Sequence, residues 1–596
     1  MKTGTTVRAI VSFLQLALKA DRWRVIKVFI VEILFRSVYL VGAYGLKVIL
    51  DGVTQQNPTG ILIGAVLTAA PSGIQRWAGP AYIRAVTNMT EKVQMEVEAS
   101  LARATADPVT VEHLESSKHL DEINLAAQQR ILIASMMRLL LSNVQAVVSL
   151  VGSLALLVPI DARVLFLPLF GIPAFVGGRR AAARFEEANQ ANAEPLRRRK
   201  HLFAISASPE AGKELRIFGL LESLLEKHRR LSRQIARQTS RAVWRSGLTR
   251  TIGQLFFAGG YIGAVALIID GAARGTASPG DVLMAITLAA QVNGQVAGMA
   301  ESGGTFARVV KSAKRFLGVL DYADEHRYLD GEGTSIPTTL EKGISFQDVT
   351  FTYPDASKPA LKEVTFELPA GAVVALVGEN GAGKTTLIKL LFRMYNSDSG
   401  SIKVDATNLM EFDPILWREQ LSAAFQDFVR FEFTVGESVG VGYLNRIHDD
   451  GAVRSALERA GGQELAEIGK QGLQTPLGRT WTDGIDLSGG QWQKLALART
   501  LMRTSPLVLV FDEPTAALDA ETEHALFERF AAATRQEVSR GLITLLVSHR
   551  FSTVRMADLI IVLHEGRIAE IGSHEDLVQR GGIYAELYEM QAGAYR

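Results

Sequence analysis

No cysteine occurs among the 596 residues. That excludes disulfides, thiolate metal sites and cysteine-protease chemistry, and it leaves the redox compartment open. Net charge is nearly absent as well. The 64 Lys and Arg stand against 62 Asp and Glu, +2 overall, so no global field calls for nucleic acid as a partner. Apolar residues make up 47% and mean hydropathy is +0.14. That is high for a soluble enzyme and low for a chain buried wholly in lipid; a chain that is half membrane and half soluble averages so, and the length allows several domains. A cleavable leader is also missing from the pattern. "VRAIVSFLQLALKADRWRVIK" is basic and amphipathic, with no small-residue cleavage site after a compact apolar run. It reads as a helix lying in the membrane interface.

What is present divides into two halves. The first half carries apolar runs at about 25–49, 61–83, 132–157, 162–178, 251–269 and 282–302, each near the roughly 20 residues that a membrane span needs. Gln75, Arg76 and Trp77 weaken the second run, and the fourth contains Pro168 and Pro173. Six spans put both termini on one side. The connections "DGVTQQNP", "PIDAR" and "DGAARGTASPGD" are short, whereas residues 179–250 hold 17 Lys and Arg against 7 Asp and Glu. Positive charge marks the cytoplasmic face, so both termini are expected there. The two long inner segments read as helical extensions that return through "VEHLESSKHLDEIN" and "SPEAGKELRIFG". Residues 1–320 are thus expected to form an all-α membrane domain, 321–342 a polar linker, and 343–596 an α/β domain of alternating strands and helices.

The second half carries nucleotide chemistry. "VVALVGENGAGKTTLIKLL" is strand, glycine loop, helix, and Gly378, Gly383, Lys384 and Thr385 fit the phosphate-loop spacing. Backbone N–H groups from Asn380 through Gly381 and Gly383 to Thr386 should wrap phosphates of ATP. Lys384 should neutralise the β- and γ-phosphates, and Thr385 should ligate Mg²⁺. "PLVLVFDEP" ends a buried strand in two carboxylates. Asp512 is expected to hold Mg²⁺, and Glu513 to orient an attacking water and accept its proton. "TLLVSHR" ends another strand at His549, and "FTYPD" offers Tyr353 as a surface for adenine, although a strand-end histidine or a lone tyrosine is by itself an ordinary structural residue.

A second glycine turn, "DLSGGQWQKLALAR", begins at Asp486, and Trp492, Leu495, Ala498 and Leu501 follow it at helical spacing. With this turn the α/β half resembles the nucleotide-binding domain of ATP-binding-cassette (ABC) transporters. "LSGGQ" at 487–491 is similar to the family signature, and the other motifs follow in family order. The resemblance implies that Gln426 in "AAFQDF" senses Mg²⁺ and contacts the membrane domain, that Asp519 in "AALDA" is the D-loop aspartate, and that His549 is the switch histidine. It implies that Tyr353 stacks on adenine, and that Ser488, Gly489, Gly490 and Gln491 complete the ATP site of a second copy, head to tail. One domain then has two phosphate-binding turns because each serves a different site.

Six spans fused ahead of the ATPase half resemble the exporter class, which implies a half-transporter of the bacterial cytoplasmic membrane, most simply a homodimer because every ATP-site element is intact. The segments 113–121 and 210–219 then look like coupling helices. "FQDFVRFEFTVGESV" and "LSGGQWQKLALAR" resemble nisin-type lantibiotic and related peptide exporters, so a peptide or amphipathic small molecule is the favoured cargo. The segment "GRTWTDGID" departs from many exporters, placing Thr482 and Asp483 where a cross-chain glutamate is common. A lipid or lipid-linked substrate flippase, or a multidrug exporter, shares the architecture. An ATP-gated channel is a further class, against which Glu513 speaks. For the substrate path, Gln291, Gln295 and Met299 share one face of the last span, with Glu301 nearby; packing through Gly294, Gly298 and Gly303 is the competing role. Glu32 and Arg36, four apart, are expected to pair.

Overall fold

The computed structural model describes residues 3–208, 211–328, 334–513, 528, 540–548 and 551–594. It consists of two units: residues 1–104 with 122–321, and residues 105–121 with 322–596.

The first unit is helical. Helix α1 (Thr3–Thr54) kinks at Asp21 (φ −165°, ψ 86°). The Asp21 carboxylate accepts from the backbone N–H of Arg24 at 3.0 Å and pairs with Lys92 at 2.7 Å, so it caps the part that holds the first predicted span. The part of α1 before the kink buries Phe13 and Ala17. Helix α2 (Pro58–Ala106) runs unbroken through Pro71 and Pro80. Close approach of α1 to α2 rests on glycine: a Cβ on Gly64 would lie 2.6 Å from the backbone nitrogen of Ile49. The expected Glu32–Arg36 pair falls on a side chain, that of Arg36, outside the described ones. Glu32 is buried and accepts a hydrogen bond from the hydroxyl of Tyr82 on α2.

After the short α3 (Glu112–Glu115), which belongs to the second unit, come α4 (Ser117–Gln128), α5 (Arg130–Ala134) and α6 (Met136–Leu157). The fourth predicted span is a 3-10 helix, Ala162–Gly171, continued by α7 (Ile172–Ala191). This resolves its two prolines. Pro168 lies in the 3-10 stretch and Pro173 in the first turn of α7, where a missing N–H costs nothing. Helices α8 (Ala193–Ala207) and α9 (Ala211–Ile217) follow, then α10 (Leu221–Ala273) and α11 (Pro279–Glu325). Helix α10 packs along α7; a Cβ at Gly253 would lie 2.5 Å from Cα of Ala174. Lys47 of α1 pairs with Asp281 of α11 at 2.6 Å. Among the described residues, four stretches are long and apolar enough to cross a membrane: Arg130–Leu157, Ala162–Ala191, Leu221–Ala273 and Pro279–Met299. Helix α2 has the length, but Gln75, Arg76 and the exposed Trp77 dilute its apolar run.

The second unit is α/β. A four-stranded antiparallel sheet has the order β2-β1-β4-β5, with β1 Gly343–Phe351, β2 Leu361–Pro369, β4 Ser399–Val404 and β5 Thr407–Asn408. A six-stranded sheet has the order β10-β9-β3-β8-β7-β6, with β3 Val373–Val377, β6 Leu421–Ala424, β7 Val508–Asp512, β8 Ile543–Val547, β9 Leu559–His564 and β10 Arg567–Gly572. All neighbours in it are parallel except β10 and β9. Strands buried on both faces read as continuous apolar runs, and alternate residues serve different cores. Val373, Ala375 and Val377 join Trp492 and Leu495 on one face, while Val374 and Leu376 join Phe346 and Leu387 on the other.

Candidate functional site

Parallel strands bring their C-terminal ends to one edge, and ligands of such sheets bind there. Register makes the alignment explicit: Leu376 of β3 pairs with Val547 of β8, which pairs with Asp512 of β7. The chain leaves β3 directly into Gly378. Backbone φ is positive at Gly378 (+155°), Gly381 (+81°) and Gly383 (+107°). Two of these glycines are required by space as well. A Cβ at Gly378 would stand 2.2 Å from the carbonyl oxygen of Leu563, and one at Gly383 2.7 Å from Cδ2 of Leu361. Helix α12 (Lys384–Leu391) starts at the end of this loop, so its first N–H groups point at whatever anion the loop encloses.

Lys384 is buried, and its ammonium donates to the carbonyls of Gly378 (2.7 Å) and Glu379 (3.0 Å). Burial pulls it below the usual lysine range, with Glu513 and Asp512 opposing. Asp512 is raised to about 6, first by burial and then by the Glu513 charge, against the hydrogen bond from Thr385. Thr385 Oγ1 donates to Asp512 Oδ2 at 3.3 Å. A hydroxyl and a carboxylate whose charge is resented form a hard-oxygen pair that fits Mg²⁺. Glu513 is half-buried and has φ +46°, a left-handed conformation unusual for a glutamate, held by its N–H donating to Val547 O at 3.0 Å. Such strain, about 1–3 kcal/mol, gathers at functional positions.

Tyr353 stands beside the loop, its hydroxyl 3.1 Å from Thr386 Oγ1. Asn380 and Thr385 are exposed. Gln426, two residues beyond edge strand β6, is exposed too. The signature turn is built separately. Ser488 caps α13 (Gly489–Thr500), accepting from Gln491 N at 3.3 Å, while its own N–H donates to Gln491 Oε1 at 2.9 Å. Trp492 and Leu495 bury the helix, yet Ser488 and Gly489 are exposed, and a Cβ at Gly489 or Gly490 would meet nothing within 4 Å. Asp519 and His549 lie outside the described residues.

In the first unit, Gln291, Gln295 and Met299 come together. They line a cavity of about 420 Å³ with Tyr39, Asn143, Gln145, Ser149 and Ser302 from α1, α6 and α11. Ser302 Oγ donates to Asn143 Oδ1 at 2.8 Å, and Gln295 Oε1 is buried with no hydrogen-bond partner among the described residues. A Cβ at Gly294, Gly298 or Gly303 would meet nothing within 4 Å, so these glycines open space and do not seat a neighbouring helix. The side chain of Glu301 lies outside the described ones.

Sequence reasoning passed over several residues. Glu432 holds the segment before the signature: it accepts from Thr480 Oγ1 at 2.7 Å with its carboxylate and from Trp481 Nε1 at 2.9 Å with its carbonyl, while Thr482 and Asp483 stay exposed. Glu115, Lys389 and Tyr395 form a cluster against Tyr353. No motif marks them; only Lys389, one turn past Thr385 on α12, is placed by a recognisable element.

The sheet edge, phosphate loop and signature helix define an ABC-type ATPase domain joined to a helical, membrane-type domain. Comparison with known proteins agrees. Residues 361–516 match the ABC transporter family. The chain is 33% identical over 381 residues to the ATP-dependent lipid A-core flippase of Alcanivorax borkumensis, covering 64% of this chain and 63% of that one. It is 32% identical over 387 residues to that of Escherichia coli strain K12, covering 64% and 63%. The chain thus covers less than two thirds of these relatives' length. A solved bacterial Atm1-family ABC exporter with ATP bound superimposes with a TM-score of 0.76 at 25% identity, over 96% of this chain and 98% of that one. In fold, the chain is similar to exporter-type ABC transporters, a helical membrane-type domain followed by an α/β ABC nucleotide-binding domain. The leaning toward nisin-type peptide exporters is corrected by these relatives, which are named lipid A-core flippases. Short stretches around the signature and after Gln426 report on the shared ATPase machinery and carry little about cargo.

Proposed function

We propose that two copies of this chain form an ATP-driven exporter that moves a lipid or lipid-linked amphiphile across a bacterial cytoplasmic membrane by alternating access. The observation that carries the reading is the divided site. Lys384, Thr385, Asp512 and Glu513 converge at the ends of β3 and β7, whereas the Ser488 turn opens to solvent. Each turn then serves one ATP between two chains. Thr385 and Asp512, with Gln426, hold Mg²⁺, which neutralises phosphate charge when bound. Lys384 and the N–H groups from Asn380 to Thr386 hold the phosphates, and Tyr353 stacks on the base. Glu513 orients the water and takes its proton, His549 hydrogen-bonds the γ-phosphate, and Ser488 and Asp519 act across the dimer. Closing two copies on two nucleotides supplies the differential affinity that reverses a conformational equilibrium, about 5.5 kcal/mol for a shift from 1:99 to 99:1.

A lipid cargo is supported by the flippase relatives and by the amide-lined cavity around Gln295. Steady-state hydrolysis by the full-length protein in nanodiscs tests it. Added phosphorylated glycolipid should stimulate the rate several-fold in a saturable way, and an amphipathic cationic peptide should not. Stimulation by the peptide alone would overturn the lipid reading.

A further inference from the structure

The segment 105–121, between α2 and α4, is tied to the second unit by its backbone. Val111 N–H donates to Met394 O at 2.9 Å and Ser117 N–H to Asp355 Oδ2 at 3.1 Å. Among its side chains, Glu115 reaches α12. Oε1 accepts from Lys389 Nζ at 2.6 Å, and Oε2 accepts from the hydroxyl of Tyr395 at 2.5 Å. Both partners then meet Tyr353. The Lys389 ammonium lies 5.3 Å from the Tyr353 ring centre and 5.7 Å from that of Tyr395. The two rings are edge to face at 5.3 Å and 83°. Tyr353 in turn reaches Thr386 of the phosphate loop. Burial works to raise the Glu115 carboxyl, but Lys389 and Tyr395 hold it below the usual range. Burial and the facing carboxylate push the Tyr395 phenol up. At neutral pH Glu115 is therefore a carboxylate and Tyr395 a neutral phenol.

Two of these contacts bear on Tyr353 as a stacking surface. A cation near a tyrosine face is attracted to its π-cloud, and an edge-on ring fixes the plane. An unanchored lysine of four methylenes would not hold that place, nor would Tyr395 keep its rotamer with its hydroxyl unpaired. We propose that Glu115 is a positioning residue for the purine ring of the nucleotide: it sets Lys389 and Tyr395 against Tyr353, so that base stacking and the placement of segment 105–121 are thermodynamically linked. This rests on the reading of Tyr353 as the base-stacking residue. Linkage is reciprocal, so a base on Tyr353 strengthens the Glu115 contacts by the factor with which those contacts strengthen base binding.

A plain docking salt bridge would affect stability and every phosphate ligand alike. A positioning role affects only ligands that have a base. The test is calorimetric titration of ATP and of inorganic tripolyphosphate into the full-length Glu513→Gln protein in nanodiscs. Glu115→Ala should raise the Kd for ATP about 3–10-fold and leave that for tripolyphosphate unchanged. Glu115→Gln can still accept from Lys389 through its amide oxygen, while its amide nitrogen can only donate to the Tyr395 oxygen, and it lacks the charge, so it should fold as the parent and fall between. Tyr353→Ala should remove the advantage of ATP over tripolyphosphate, and adding Glu115→Ala to it should change nothing more, as expected for two residues acting through one contact. Equal effects of Glu115→Ala on both ligands, or none on either, while Tyr353→Ala acts as stated, would overturn the role of Glu115. An unchanged ratio in Tyr353→Ala would instead remove the base-stacking reading itself, and the inference with it.

Discussion

Thr385 Oγ1 and Asp512 Oδ2 meet at 3.3 Å, tying the first turn after the phosphate loop to the end of β7. The contact sets an acceptor that folding does not want charged beside a lysine that burial also discourages. Burial and the Glu513 charge thus load the site electrostatically, a load that the proposed magnesium–nucleotide complex would relieve.

Asp512→Asn should therefore stabilise the ligand-free protein while abolishing hydrolysis. A carboxyl raised from 3.8 to about 6 binds its proton more tightly when folded. Its contribution to stability is fully present below 3.8 and is lost as pH rises through about 6. At pH 8 that loss amounts to about 3 kcal/mol, and the amide avoids it. Differential scanning fluorimetry at pH 8 should show a higher Tm for the variant, with a gap that narrows toward pH 5. A lower Tm at pH 8 would contradict the assignment of strain to this carboxylate.

Lys384→Ala and Ser488→Ala should complement each other. Each homodimer carries one lesion in both of its sites. A mixed dimer gathers both lesions in one site and leaves the other intact. Half of the dimers in an equal mixture are mixed, so hydrolysis should return to about a quarter of the unmodified rate if sites act independently. A mixture no faster than its components would mean that the Ser488 turn serves its own chain.

Gln295→Trp should abolish lipid-stimulated hydrolysis and leave the basal rate and Tm nearly unchanged. The substitution fills a cavity of about 420 Å³ in which Gln295 Oε1 has no described partner. Gly294 and Gly298 face open space, so the larger ring has room without parting helices. Joint loss of Tm, basal rate and stimulated rate would return Gln295 to a packing role.

Much of this was legible in the sequence, for definite reasons. The phosphate loop, β7 and the signature helix are local: Gly378 to Thr386 are contiguous, and so are Val508 to Glu513, and strand burial on both faces writes itself as unbroken apolar runs. The face shared by Gln291, Gln295 and Met299 followed from helical spacing alone. Other features depend on residues far apart. Glu32 of α1 meets Tyr82 of α2, 50 residues away in the chain, a contact that no local spacing announces. Glu115 lies 274 residues before Lys389 and 280 before Tyr395, with no periodicity to join them. Pro168 reads as a defect in a span until the 3-10 helix that accommodates it is seen. The leaning toward peptide cargo rested on stretches that belong to the ATPase half, which is indifferent to what the membrane half carries.

ATP-dependent translocation in proteoliposomes tests the central claim most directly. A phosphorylated, fluorescent glycolipid is placed in both leaflets, and its accessibility to an outside quencher is followed after ATP addition, for the unmodified protein and for Glu513→Gln. Glu513 alone is changed, and only its proton-accepting carboxylate is lost, so nucleotide binding should persist while hydrolysis falls by orders of magnitude. The account predicts an ATP-driven shift of the lipid between leaflets with the unmodified protein and none with Glu513→Gln, although both bind ATP. Equal redistribution by both proteins, or hydrolysis without any redistribution by the unmodified protein, would contradict it.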